Sequence, residues 1–374
     1  MKIAILSPFY PFRGGMAQFS GRLYEELSKT NEVQLFNFTT LYPSFLFPGK
    51  TQYVTDEDSA IPVKSKRLLN SVNPFSYYIT ASAINKFSPD ILIIPYWMSF
   101  LAPALGTVCR FIKKKTKIIG LIHNAIPHEK RFFDRPFAKY FFSQCDGFVA
   151  LSNLVKDDLK AIVPQKPVLV SPHPIYDHYG NRIDRAEACL KLGVDKDKKI
   201  LLFFGLIREY KGLDILIESM ALLDNNYQLV IAGECYGSFQ GYQDSIEASP
   251  LKNNIKVMQE YIPDEKVSLL FSAADVLVLP YRDATQSGVV AVAYQMETPL
   301  IATNVGALGD SIRKGSTGII VNDVSSISLS EGIKGYFAEE ETNRETFTKH
   351  IKEEKKRLSW AVFSDELTLF ASRL

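Results

Sequence analysis

Short apolar runs separated by longer amphipathic or polar stretches recur along the whole chain. The first, Lys2–Leu6, reads as a strand and leads into a loop holding Pro8, Pro11, Gly14 and Gly15. From Met16 to Lys29, the side chains Phe19, Leu23 and Leu27 fall at four-residue spacing, which predicts a helix with one buried face. Val33–Phe36, Ile91–Ile94, Lys117–Ile122 and Gly147–Leu151 are further strand candidates. Strands of this kind alternating with helices predict a doubly wound, mostly parallel α/β sheet.

Ser171–Ile183 interrupts the pattern with two prolines, a glycine and several polar residues, and is read as a linker. After it the same order starts again. Lys199–Phe204 is a strand, Gly205–Gly212 a loop and Leu213–Leu223 a helix; Gln228–Ala232, Ile255–Val257, Val276–Leu279, Leu300–Thr303 and Gly318–Val321 are strands. Their unbroken apolar runs suit a sheet covered by helices on both faces. Trp360–Leu374 reads as a terminal helix. Two Rossmann-like domains are therefore expected: residues 1–176, with the terminal helix 358–374 packing back on them, and residues 177–357. Sheets of this type bind ligands beyond the carboxyl ends of their strands, so a cleft between the two domains is the expected site.

Length and composition agree with two cores: 374 residues, of which 46% are apolar. Lys plus Arg number 43 and Asp plus Glu 41, a balance that gives nucleic acid no electrostatic footing. Cys109, Cys145, Cys189 and Cys235 form no CxxC pair and fit neither a zinc site nor a disulfide framework, which points to the cytoplasm. The opening KIAIL is too short for a signal peptide. Ile91–Val108 is uncharged and long enough to cross a bilayer. Pro95, Pro103 and Gly106 argue instead for strand, loop and short helix.

The strongest local chemistry lies in residues 201–220. A strand runs into a loop carrying Arg208 and Lys211, and Gly212 precedes a helix. A helix start offers free N–H groups and partial positive charge to an anion; Arg adds a two-pronged donor and Lys a point charge. On residue types alone, two exposed charges on a connecting loop explain the segment equally well. Gly205, Arg208, Lys211 and Gly212, taken in order with the Gly14–Gly15 loop, AGECYG at 232–237, PLIATNVGALGD at 299–310 and GSTGIIV at 315–321, resemble the retaining glycosyltransferases of family 4, which have the GT-B fold.

The resemblance implies a nucleotide-sugar donor with Arg208 and Lys211 on its diphosphate. It also implies that the Gly14–Gly15 loop lies over the phosphates and near the acceptor, and that His123, directly after a strand, contacts the donor sugar. His128 is a weaker candidate, and Glu234 is placed to reach the donor or to form a salt bridge. The sequence departs from the family at its paired glutamates: ungapped alignment puts Ala284 and Val292 there. Asp283, Thr285, Gln286, Ser287 and Gly288 stand nearby as hydroxyl, amide and N–H groups at a helix start, and are taken as donor-binding candidates.

No metal and no other cofactor is expected, since no HExxH, Walker A or DxD-type motif occurs. The expected reaction moves a hexosyl unit from the nucleotide sugar to a glycan or lipid-linked glycan in surface polysaccharide assembly. The alternatives are a nucleotide-sugar epimerase of the same fold and a non-catalytic binding subunit. Basic and aromatic residues interleave at 109–117 and 130–142, which fits either peripheral contact with the inner membrane face or a solvated helix surface.

Overall fold

The computed structural model describes all residues except 44–50, 55–61, 127–130, 177–178, 285–286, 307 and 313–315, together with the side chains at 310 and 311. The chain forms two compact units, Met1–Pro172 with Trp360–Leu374, and His173–Ser359.

In the first unit the order is β1 (Lys2–Leu6), α1 (Gly15–Leu27), β2 (Glu32–Thr40), β3 (Lys66–Asn70), α2 (Pro74–Phe87), β4 (Ile91–Tyr96), α3 (Ala102–Arg110), β5 (Lys117–Ile122), α4 (Asp134–Gln144), β6 (Gly147–Ala150), α5 (Asn153–Ile162) and β7 (Val168–Val170). The strands pair in parallel in the order β3-β2-β1-β4-β5-β6-β7. The edge strand β7 (Val168–Val170) is apolar but only three residues long, and β3 has no sustained apolar run. In β3 only Leu69 is buried, so sequence periodicity does not reveal it. The uncharged stretch Ile91–Val108 divides into β4, a 3₁₀ turn at Ser99–Leu101 and most of α3. Among the described residues no helix is long and apolar enough to cross a membrane.

The second unit runs α6 (Arg185–Leu192), β8 (Lys199–Phe204), α7 (Leu213–Met220), β9 (Tyr227–Ala232), α8 (Gln240–Ala248), β10 (Ile255–Met258), α9 (Asp264–Ala273), β11 (Val276–Leu279), α10 (Gly288–Gln295), β12 (Leu300–Thr303), α11 (Leu308–Ile312), β13 (Gly318–Val321), α12 (Ser326–Ala338) and α13 (Glu340–Arg357). Its strand order, β10-β9-β8-β11-β12-β13, repeats that of the first unit without the seventh strand. In both sheets the order reverses beside the first strand, between β1 and β4 and between β8 and β11. Loops leaving the carboxyl ends at such a reversal diverge and open a crevice.

Each sheet is covered on both faces by apolar clusters. The last helix, α14 (Trp360–Ser372), belongs to the first unit. Its Trp360 lies 5.1 Å from the Phe19 ring of α1, and Arg22 stacks over the same indole.

Candidate active site

The loops at the strand-order reversal of the second unit hold the densest chemistry. β8 is a buried apolar strand, and the chain leaves it through Gly205 at φ 99°. A 3₁₀ turn, Glu209–Lys211, then carries it to Gly212. At φ 65°, Gly212 is the residue from which α7 starts, and a Cβ there would lie 2.0 Å from the Pro280 carbonyl oxygen. Only glycine lets this turn press against the end of β11.

The turn is held from below by Arg282. Its backbone N–H donates to Tyr210 O at 2.7 Å, and Nη1 donates to Glu209 O at 3.0 Å. The guanidinium also grips Asp214, in the first turn of α7, through both oxygens, Nη1 to Oδ1 at 2.8 Å. That pairing lowers the Asp214 pKa. From the side, Ile207 N–H donates to Glu234 O at 2.8 Å and Tyr236 N–H to Ile207 O at 3.3 Å, so the loop after β9 is stitched to the loop after β8. Arg208 thereby stacks 4.7 Å over the Tyr236 ring.

Lys211 points inward. It is only 8% exposed, and its ammonium sits 5.6 Å from the centre of the Tyr281 ring and close to Gly205. Among the described residues no carboxylate pairs with it. Burial, and secondarily the positive charge of Arg208, push its pKa from 10.5 down to about 8. A buried cation beside a second cation, with no counter-charge, is costly for the protein alone and complementary to an anion. The α7 start adds backbone N–H groups and its dipole. The arrangement can take up a phosphate group and stabilise charge that develops on it.

Ser287 begins α10 without capping it through its side chain; its Oγ lies 3.4 Å from the Tyr281 hydroxyl. Gly288 lies against the Tyr176 hydroxyl, where a Cβ would come within 3.3 Å. Asp283 is exposed on the preceding loop. Thr285 and Gln286 lie outside the described residues, as does His128. Ala284 and Val292 are buried in the apolar core, so the positions aligned with the family's glutamates are packing positions here.

The first unit brings together its own set of candidates. Gly14, at φ 96°, is the N-cap of α1, and Gly15 is the first residue of that helix. His123 follows β5, is 5% exposed, and donates its backbone N–H to Tyr96 O at 2.8 Å. Its ring meets Phe19, four residues along α1, edge-on at 4.8 Å.

Tyr281, Tyr236 and the Arg282–Asp214 brace escape the sequence reading. The available signal was position: Tyr281 and Arg282 stand just past the apolar run of β11, where a side chain must reach the crevice. Arg208, Asp214, Cys235, Tyr236, Tyr242 and Arg282 line a cavity of about 500 Å³ beside the turn. Among the described residues no cluster of three or more His, Cys, Asp or Glu could hold a metal ion.

Two doubly wound parallel sheets following one another in the chain are the architecture of the GT-B fold. Family models agree. Residues 13–177 match Glycosyltransferase Family 4, and residues 184–354 match Glycosyl transferases group 1. The chain belongs to the family 4 glycosyltransferases. A relative described as an uncharacterized glycosyltransferase of Methanocaldococcus jannaschii is 26% identical over 96% of this chain and 95% of its own length. The D-inositol 3-phosphate glycosyltransferase of Corynebacterium glutamicum is 26% identical over 55% of this chain and 51% of its own, so the match spans about half of that enzyme. Among solved structures, a sucrose-phosphate synthase of Thermosynechococcus elongatus superposes with a TM-score of 0.79 at 17% identity, covering 100% of this chain and 98% of its own. Anabaena HepE in complex with UDP does so with a TM-score of 0.76 at 15% identity, covering 100% of both chains.

Proposed function

We propose that the protein transfers a hexosyl unit from a nucleotide-sugar donor to a glycan or lipid-linked glycan acceptor, with retention of anomeric configuration. The observation that carries this reading is Lys211, a buried ammonium that pairs with no carboxylate among the described residues and stands beside Arg208 and the start of α7. In the proposal, the donor diphosphate supplies the missing anion. Arg208 and Lys211 stabilise the charge that grows on it as the glycosidic bond breaks.

Gly205 leaves room for the Lys211 ammonium. Glu234, Asp283, Thr285, Gln286, Ser287 and Gly288 are assigned to the ribose and sugar in place of the family's glutamates. The acceptor belongs to the first unit, with the Gly14–Gly15 loop near it and over the donor phosphates and with His123 on the donor sugar. A nucleoside diphosphate as leaving group fits the solved relative HepE, which was crystallised with UDP and, separately, with UDP-glucose. Surface polysaccharide assembly, with peripheral contact at a membrane, completes the reading.

The test is turnover of a panel of nucleotide sugars with glycan and lipid-linked acceptors, Lys211→Ala as control, and the product anomer read by NMR. Undiminished transfer by Lys211→Ala removes the phosphate assignment. An inverted product removes retention. Release of an epimerised sugar without acceptor, or binding without turnover, replaces the transferase reading.

A further inference from the structure

The outer stripe of α2 carries apolar side chains where a helix lying on a sheet ordinarily carries polar ones. Phe75, Tyr78 and Ile79 are 82%, 64% and 54% exposed, and Val72, in the turn before the helix, is 53% exposed. The inner stripe holds Ser76, Tyr77, Thr80, Ala81 and Ile84. Its hydroxyls are satisfied locally: Ser76 Oγ donates to Asn73 O and Thr80 Oγ1 to Ser76 O, each at 2.7 Å, and the Tyr77 hydroxyl donates to Ser71 O at 2.8 Å. The helix is also fixed in register by the Asn73 cap, whose side chain accepts from Phe75 N–H. The exposed aromatics are therefore held outward by a well-satisfied inner face.

This stripe continues onto the end of α3. Phe111, itself exposed, meets the Tyr78 ring edge-on at 5.7 Å. Asn85 ties the two helices by donating to Phe111 O at 2.8 Å and accepting from Lys113 N at 3.0 Å. Between them lies an open depression of about 440 Å³, lined by Tyr78, Ser82, Asn85, Lys86, Phe111 and Lys113.

Basic residues predominate in this part of the chain. Residues 62–128 contain nine Lys and Arg but a single acid, Asp90, whose carboxylate accepts from Lys2 N at 2.8 Å. The whole first unit holds 22 Lys and Arg against 14 Asp and Glu, a net charge of +8.

We propose that this face docks on an anionic phospholipid bilayer. The side chains of Val72, Phe75, Tyr78, Ile79 and Phe111 enter the headgroup layer, where aromatic rings are favoured. Lys86 and Lys113 seat a lipid phosphate in the depression, and Lys114 and Lys115 add long-range attraction. A second copy of this chain is the wrong occupant, because a two-fold contact through this face would set its lysines against themselves. The proposal names the surface and lipid class behind the membrane contact in the reading above, and rests on that part of it.

The test is flotation of the full chain with vesicles of phosphatidylcholine alone and of phosphatidylcholine mixed with phosphatidylglycerol. Binding is expected only to the mixed vesicles, and it weakens as salt rises. The combined variant Phe75→Ser, Tyr78→Ser, Ile79→Ser lowers vesicle affinity by about tenfold or more. Lys86→Glu with Lys113→Glu does the same by charge reversal. Both variants leave the melting curve and transfer to a soluble acceptor unchanged, because every substituted side chain is exposed. Equal binding to neutral vesicles, or wild-type binding by both variants, overturns the proposal. So does a dimer in sedimentation that the same substitutions dissociate. Normal vesicle binding without any sugar transfer leaves the docking face intact and counts against the glycosyl-transfer reading alone.

Discussion

The two units share one strand order and carry opposite charge. The first has a net charge of +8; the second, with 21 Lys and Arg against 27 Asp and Glu, has −6. Yet the cationic site sits in the acidic unit. Net charge, which acts over the whole surface, favours contact with an anionic surface for the first unit. In the second, burial matters more than net charge: a charge kept from water is screened far less than one on a solvated lysine. The two units thus differ in how positive charge is arranged: spread over the first, and concentrated at Arg208 and Lys211 in the second.

The largest expected effect tests whether the units are independent. Trp360 is 3% exposed and packs on Phe19, Phe363 and the Arg22 guanidinium. Trp360→Ala should cost the first unit about 3–5 kcal/mol, seen as a lowered first transition in calorimetry with the second transition in place. A single transition lowered as a whole would show the units to be one cooperative body. Next, Lys211→Ala should reduce kcat/KM by about 10²–10³-fold, the range for removing one preorganised group that stabilises a developing anion.

The same lysine should weaken the protein that it serves. Its pKa is about 8 when folded against 10.5 ordinarily, so between these values the unfolded chain binds more protons and stability rises with pH. Below about pH 8 the full cost of the buried charge is present, about 3 kcal/mol at most. Lys211→Met should therefore raise Tm at pH 7 without ligand, and this advantage should vanish by pH 10.5. An unchanged Tm at pH 7 would show the ammonium to be better solvated than its burial implies. Donor affinity, measured by calorimetric titration with a nucleoside diphosphate, should hold below about pH 8 and fall as Lys211 loses its proton. A flat profile to pH 10 would separate the anion from Lys211.

The smallest effect concerns the brace. Arg282→Ala frees the Glu209–Lys211 turn and should lower kcat about tenfold with a smaller change in donor KM, consistent with misplacement of groups that act in the transition state. Arg282→Lys keeps the charge but not the double grip on Asp214, so partial rescue is expected. Equal loss in both variants would make the geometry of the fork the deciding feature.

Much of this was legible in the sequence because it is local. β8, the Gly205–Gly212 loop and the start of α7 follow one another within fourteen residues, Lys199–Gly212, so the apolar run, the two cations and the glycine announce a site in order. The central strands were legible too, because burial on both faces forces unbroken apolar runs. Of the edge strands, β10 and β13 were legible and β3 and β7 were not: β3 buries only Leu69, and β7 is three residues long. The helix predicted as Leu213–Leu223 ends at Met220, its last turn giving way to a tight turn before β9.

What the sequence by itself determined was the alternation of strands and helices, the division into two sheets and the identity of the two cations. Only the tertiary structure decided that Arg282 reaches Asp214 across 68 residues, that Tyr281 lies beneath Lys211, and that Phe75 and Tyr78 of α2 face out while Ser76, Tyr77 and Thr80 face in. Periodicity states which residues share a stripe. Which stripe is buried, and which distant side chain closes a site, depends on sheet pairings between segments far apart in the chain.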